Sequence, residues 1–420
     1  MEQVCDCGNV KSRFEPYCYI CTFKTDYVTG DYQDWDHDYP EPMSVGWSED
    51  SDLGNSGSED YSSEPNQPTD ISLPYEYGNN RLLESPEFFI GNTENTLVTK
   101  RLIDADQFYF DKIQYNEGAE NIFKDLLDFV SNNTKPSSKI KVYFNTNVIM
   151  FKFKPRCHVD LKLFEIMDHD KSNLDIIIAN IFSSRFTVKI CDCDNRETNN
   201  YQSWFDNMKY SDGPERITVP EKSKDWMTIG YELDWTRFSI DEYSSDMIRL
   251  LSSHLVDLAF TNKIPVKILD RVNNVQMSFN DMGIEDYTEA YNISSYDIRF
   301  QNKEVELMVS WVPNNGYHVS FVNGIYTEDG GAHVAKVYKT IRRQFRDCGF
   351  DVSIDYLKNN LVVIMSCWVN NPCFNNQIKS TFHSPVPDFN LDVSYLVERI
   401  RKNTIQEDDC PENYNYCVIF

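Results

Sequence analysis

Four cysteines lie near the amino terminus in two close pairs, Cys5-x-Cys7 and Cys18-x-x-Cys21. Thiolates at that spacing suit tetrahedral zinc, and Gly8 allows the tight turn of a metal knuckle. A segment this short has no core of its own, so a zinc staple is the expectation and four free thiols the alternative. With every position filled by protein, such a metal is structural. At the other end, Cys417-Val-Ile-Phe420 has the C-a-a-X form of a prenylation signal, and a terminal Phe favours geranylgeranyl. The preceding Glu407-Asp-Asp-Cys-Pro-Glu412 is acidic and lacks the polybasic second signal of stable anchoring, although Cys410 offers a second acylation site. Between these ends, Lys336, Lys339, Arg343 and Arg346 recur at i, i+3, i+7 and i+10, which gathers four cations on one helical face. No His-Glu-x-x-His and no Gly-x-Ser-x-Gly occurs, and Cys191-x-Cys193 near Cys157-His158 reads as strand thiols rather than a second metal site.

Composition bounds what such residues serve. A length of 420 residues with 41% hydrophobic content supports two to three domains with real cores. No apolar run is long enough for a membrane helix, and no basic leader with an apolar stretch marks a secretory signal. Twelve cysteines in that context point to a reducing compartment, nuclear or cytoplasmic, with membrane association only if Cys417 is prenylated. The formal charge of −26 has the wrong sign for a stand-alone binder of phosphate backbones. Thr25 to Asn80 contains fourteen acidic residues and no Lys or Arg, about half of the imbalance. Such a segment repels itself and is expected to be a disordered tether. Trp35, Tyr39, Trp47 and Tyr61 give it the alternative of docking on basic partners such as histones.

The elements that position chemistry follow from periodicity. Ala119 to Val130 has apolar residues at helical spacing, and Lys139–Phe144 and Val148–Phe153 alternate as strands. Val319 to Val334 reads as a buried strand, a Gly-Gly turn and the first turn of a helix that runs to about Asp347. A short strand is expected near Val352. The apolar strand Leu361–Val369 then spills into the polar loop Asn371-Pro-Cys-Phe-Asn-Asn-Gln-Ile-Lys379.

These last stretches resemble the transducer domain of type IIA DNA topoisomerases, the eukaryotic topoisomerase II branch in particular. The family's Ser-Phe-Val-Asn strand is at Ser320 to Asn323, its Gly-Gly-x-His turn at Gly330, Gly331 and His333, and its Asn-Pro-x-Phe-x-x-Gln-x-Lys loop at Asn371 to Lys379. Upstream, Ser85 to Asn92, Ala179 to Val188, Gln202 to Met208 and Asp234 to Phe238 are similar to the family's ATPase domain. The resemblance covers roughly 81 to 400. It implies an α+β chain, a GHKL (Bergerat-like) α/β sandwich over 81–262 followed by a transducer of the ribosomal S5 domain 2-like type over 263–405. The zinc knuckle over 1–24, the acidic linker over 25–80 and a tail over 406–420 complete the expected organisation. The resemblance also implies that Gln377 and Lys379 stand where the family's loop reaches the ATP γ-phosphate. Because the family's transducer lines the cavity for the transported duplex, it makes Lys336, Lys339, Arg343 and Arg346 candidates for DNA contact, with a solvated face as the alternative.

Three family sites for Mg·ATP are altered. The long helix carries Asp125 where the family has its glutamate base, and Phe129 where an asparagine holds Mg²⁺. Aspartate is one methylene shorter, and phenylalanine offers a hard cation no side-chain oxygen. The adenine-reading Gly-x-Gly turn reads Phe153-Lys-Pro-Arg-Cys157, and the phosphate loop reads Asp170-Lys-Ser-Asn-Leu-Asp-Ile-Ile177. Bulk and a fixed φ replace glycine in the first, and Asp170 and Asp175 oppose phosphate charge in the second. No cleavage module is expected within these residues, so strand passage is not expected of this polypeptide alone. The resulting expectation is a non-hydrolysing ATPase–transducer module that pairs with itself or with a full-length topoisomerase II. The alternative is an ATP-hydrolysing subunit working with a separate cleavage subunit.

Overall fold

The structure, a computed structural model, describes residues 69–70, 90–165, 174–192, 200–216, 224–293, 295–349, 351–375, 379–386 and 388–400. Cys5, Cys7, Cys18, Cys21, Cys193, Gln377, Cys417 and Asp170 lie outside the described residues, as do the side chain of Asp175 and the tether apart from Thr69–Asp70. The helices, in chain order, are α1 (Glu117–Asn133), α2 (Leu174–Ile181), α3 (Ser245–Thr261), α4 (Ile284–Glu289), α5 (Ala332–Asp347), α6 (Ile354–Asn360) and α7 (394–400).

The chain divides into two compact units, Met1–Gly78 with Cys157–Tyr231, and Asn79–Arg156 with Glu232–Phe420. In the first, Ser183–Cys191, Asn200–Phe205 and Tyr210–Arg216 form an antiparallel meander, and the backbone of Thr69–Asp70 pairs with Tyr210 and Ser211 at its edge. α2 contributes the buried Ile176, Ile177, Ile178 and Ile181. Phe164, Phe186 and Trp204 pack with ring centroids about 6 Å apart. Asn180 is fully buried and donates from Nδ2 to the carbonyl of Phe164 at 2.9 Å. The helix end and strand expected over Ala179–Val188 are present.

In the second unit, Val148–Phe153, Ile140–Phe144, Val266–Asp270 and Val275–Phe279 lie side by side in that order. Ile140–Phe144 runs parallel to Val266–Asp270, and the other two pairings are antiparallel. α1 begins at Asn116, whose side chain caps the Ala119 amide at 3.0 Å, with Glu117 and Glu120 in the first turn facing the helix dipole. Its apolar stripe buries Ile122, Phe123, Leu126, Leu127 and Val130, and Phe123 packs on Phe144 and Phe151. A two-stranded hairpin, Thr96–Asp104 with Gln107–Tyr115, precedes α1.

The rest of this unit holds a five-stranded sheet in the order Ile298–Gln301, Val305–Trp311, Leu361–Cys367, Tyr317–Val322 and Ile325–Tyr326. Every residue of Leu361–Cys367 is buried, as a central strand covered on both faces requires. α5 lays Val334, Val337, Tyr338, Ile341 and Phe345 into the core beneath it, with Leu357 of α6 and Leu396 of α7. Arg399 of α7 donates from Nη1 to both carboxylate oxygens of the buried Asp297 at 2.8 Å, and Asp297 also accepts the Trp311 amide at 2.6 Å.

One expected element is replaced. There is no strand at Val352; Ser353 instead caps α6 by accepting the Tyr356 amide at 2.9 Å, with Asp355 in the first turn. The alternation of Val352 and Ile354 mimics a strand, but Val352 simply plugs the core from a loop.

Candidate functional site

The transducer-like turn is built on close backbone approach. Gly330 and Gly331 pair in parallel with Thr381 and Phe382. Gly331 has φ +130°, and a Cβ there would collide with the Phe382 backbone. Asn323 has φ +51° and clamps the far end of the neighbouring strand, donating from Nδ2 to the Val369 carbonyl at 2.8 Å and accepting its amide at 2.7 Å. His333 is fully buried, with Nε2 3.2 Å from the Thr327 hydroxyl, which lies 2.7 Å from that of Ser320. Burial, aided by His318, pulls the His333 imidazole down to about 3, so it is neutral at physiological pH.

The loop that follows is folded onto this turn. The Asn375 amide donates to the Thr381 carbonyl at 3.1 Å, and the His383 amide to that of Cys373 at 2.9 Å. Phe374 packs edge-on to Phe382, whose other neighbour is the His333 ring. Lys379 is exposed with φ +57°, and Gln377 is outside the described residues.

The positions that the resemblance assigns to the nucleotide lie at the end of α1 and in the segment after Phe153. Asp125 lies half-buried on α1 between the helix's core residues, one turn before the half-buried Phe129. The Phe129 carbonyl is already taken by Nδ2 of Asn133 at 2.9 Å. The segment carrying Pro155 bridges antiparallel to Thr134. Lys135 donates its amide to the Lys154 carbonyl, and Arg156 its amide to the Asn133 carbonyl, both at 2.8 Å, while Arg156 Nε reaches the Thr134 carbonyl at 2.6 Å. Residues 154–156 are thus held to residues 133–135 by backbone pairing. Phe129 itself offers a hard cation no side-chain oxygen.

The four cations of α5 do not form one free face. Lys336 bonds Asp388 at 2.6 Å and the Val386 carbonyl at 3.2 Å, and Arg346 bonds Asp351 at 3.0 Å. Those hydrogen bonds hold Asp388 and Asp351 below the usual carboxylate range. Lys339 and Arg343 are exposed, with no ion pair among the described residues.

Two polar clusters escaped the sequence reading. Glu120 accepts from the Tyr115 hydroxyl and lies 2.7 Å from His254 Nε2. Burial opposes its charge, but Lys124 and His254 outweigh burial and hold Glu120 well below its ordinary value. The second cluster centres on Arg101, 4% exposed and ion-paired with the buried Asp257. Nη1 of Arg101 donates to the hydroxyls of Tyr287 at 2.6 Å and Tyr291 at 2.7 Å, and Tyr287 donates to Asp257 at 2.6 Å. The signal was present: Asp257 is a lone carboxylate in the apolar run Leu255 to Phe260, which requires a buried cation.

Comparison with known proteins bears on the fold and the family. The DNA gyrase B family profile matches residues 276–400. A mitochondrial DNA topoisomerase 2 of Caenorhabditis elegans is 24% identical over 359 residues, 73% of this chain and 30% of that protein. DNA topoisomerase 2 of Dictyostelium discoideum is 27% identical over 50% of this chain and 14% of its own length. The chain thus spans less than a third of either relative. The ATPase region of Saccharomyces cerevisiae topoisomerase II, solved bound to dexrazoxane, superposes with a TM-score of 0.64 at 20% identity, covering 78% of this chain and 95% of that one. The ATPase and transducer domains of Balamuthia mandrillaris topoisomerase II give 0.63 at 22% identity, with 78% and 96% coverage. Sequence and fold together make this chain a relative of the N-terminal ATPase and transducer region of type IIA DNA topoisomerases.

Proposed function

We propose that this chain is a topoisomerase II-like ATPase–transducer module that does not hydrolyse ATP and instead binds or regulates a topoisomerase II complex. The observation that carries this reading is the end of α1. Phe129 stands at the family's Mg²⁺ position, and residues 154–156 are bonded to residues 133–135 where a nucleotide needs an open turn. Each loss removes a charge-assisted or close backbone contact of the kind that holds triphosphates at micromolar affinity.

Titration calorimetry with a non-hydrolysable ATP analogue and Mg²⁺ tests it. No saturable binding tighter than about 100 µM is expected. Tighter binding that Lys379→Ala weakens would replace this reading with that of an ATP-hydrolysing subunit, which the exposed Lys379 on its loop favours.

The partner in this reading is a second copy of the chain or a full-length topoisomerase II. DNA contact falls to Lys339 and Arg343, because Lys336 and Arg346 are engaged by acids of their own unit. A structural zinc at Cys5, Cys7, Cys18 and Cys21, an acidic tether that meets basic chromatin proteins, nuclear or cytoplasmic residence and prenylation at Cys417 belong to the same proposal, and rest on sequence.

A further inference from the structure

Within the larger unit, the 96–115 hairpin and α3 meet the strands of the five-stranded sheet around one buried charge. Arg101 comes from the hairpin and Asp257 from α3, while Tyr287 belongs to α4 and Tyr291 follows it. The Arg101 guanidinium also lies over the Tyr326 ring at 4.3 Å and the Phe108 ring at 5.0 Å. Phe108 stacks on Tyr291 at 4.6 Å, Phe260 stacks on Tyr287 at 4.3 Å, and both Phe260 and Tyr287 meet Phe321 edge-on at 5.9 Å. At the margin, the Phe108 amide donates to the Ala290 carbonyl at 2.8 Å and Lys100 pairs with Glu328 at 3.3 Å.

We infer that Arg101 is a positioning residue that locks the hairpin, α3 and the Tyr317–Tyr326 strands into a single body with one fixed arrangement. A guanidinium sealed from water by aromatic rings keeps its charge only where a carboxylate and hydroxyls meet it in a set geometry. Sliding the hairpin along α3 would separate Arg101 from Asp257 and leave both charges buried. The elements therefore have one register with every partner in place, and intermediate positions are excluded. Burial works against the charge, and Asp257 with the neighbouring phenols more than restores it, which agrees with this geometry. This inference goes beyond the nucleotide reading and does not rest on it, because it concerns the chain without ligand.

Hydrogen exchange on the full chain, with no nucleotide added, tests it. In Arg101→Met the amides of 96–115 and of 317–326 should lose protection together, tenfold or more, while Ile140–Phe144 keeps its own. Arg101→Met combined with Asp257→Leu removes both charges and should return most of the protection in both segments. Tyr291→Phe keeps the ring and removes one hydroxyl, so it should give a smaller rise, about threefold, in the same two segments. Loss confined to the hairpin, a rise shared equally by all amides, a double variant no better protected than the single, or no change in Tyr291→Phe overturns the lock.

Discussion

The turn at Gly330 and the end of α1 answer the same family resemblance in opposite ways. At the turn, each residue carried over from the motif does a structural job that needs no ligand. Asn323 holds Val369, Gly331 lets Phe382 approach, and His333 sits against Thr327 and Phe382. At the end of α1, where the resemblance would put nucleotide contacts and our proposal reads their loss, stand a phenylalanine and the backbone pairing of 154–156 with 133–135. The difference teaches that the residues of the turn are held by contacts within the chain itself, whereas those at the end of α1 need a ligand measurement to be read.

That contrast breaks most readily at Gly331. Gly331→Ala should cost about 4 kcal/mol, since the added Cβ meets backbone that cannot yield and the φ is one that L-residues avoid. A urea midpoint that barely moves would show that the turn is not the rigid part of the molecule.

The next effect is in pH. His333 is held at about 3 in the fold against an ordinary value of 6.5, so the unfolded chain binds the extra proton between those values. Its share of stability is complete above pH 6.5 and is lost as pH falls towards 3, at up to about 1.4 kcal/mol per pH unit. Between pH 7 and 4 the slope of stability against pH should therefore fall by about one proton in His333→Gln, the part due to His318 remaining. An unchanged slope would mean that the imidazole is not the group that burial neutralises.

The smallest effect sharpens the other side of the contrast. Arg156→Ala removes one part-buried hydrogen bond to the Thr134 carbonyl, and should cost about 0.5–1 kcal/mol by urea denaturation. A loss as large as that of Gly331→Ala would mean that both regions are equally load-sharing.

Much of the second unit was readable because its signals are local. The apolar run Leu361–Cys367, the helical spacing around Phe123 and the Gly-Gly turn each declare themselves within a few residues. The helix after Val352 was misread for an equally local reason: a short alternation competes with a single cap, and Ser353 outweighs it. Arg101 was invisible because nothing near it in sequence shows that it is buried. Its partners arrive from Asp257, Tyr287 and Tyr291, far along the chain, and only the Asp257 side of the pair stands out against its neighbours. The candidate nucleotide positions were legible only through the resemblance, whereas the bonds from 154–156 to 133–135 required coordinates.

The parallel pairing of Ile140–Phe144 with Val266–Asp270 also has a consequence for the order of events during synthesis. The partner strand leaves the ribosome roughly 125 residues later, which at about 5–20 residues per second is a wait of roughly 6–25 seconds. Throughout that interval the apolar stripe of α1 and the strands Ile140–Phe144 and Val148–Phe153 exist without the partner strand Val266–Asp270. The meander of Ser183–Arg216 has all its strands much sooner, since it pairs neighbours in sequence. The nascent chain therefore carries an early-forming segment inside a late-forming one, and the exposed edge of the latter is where chaperones would find it.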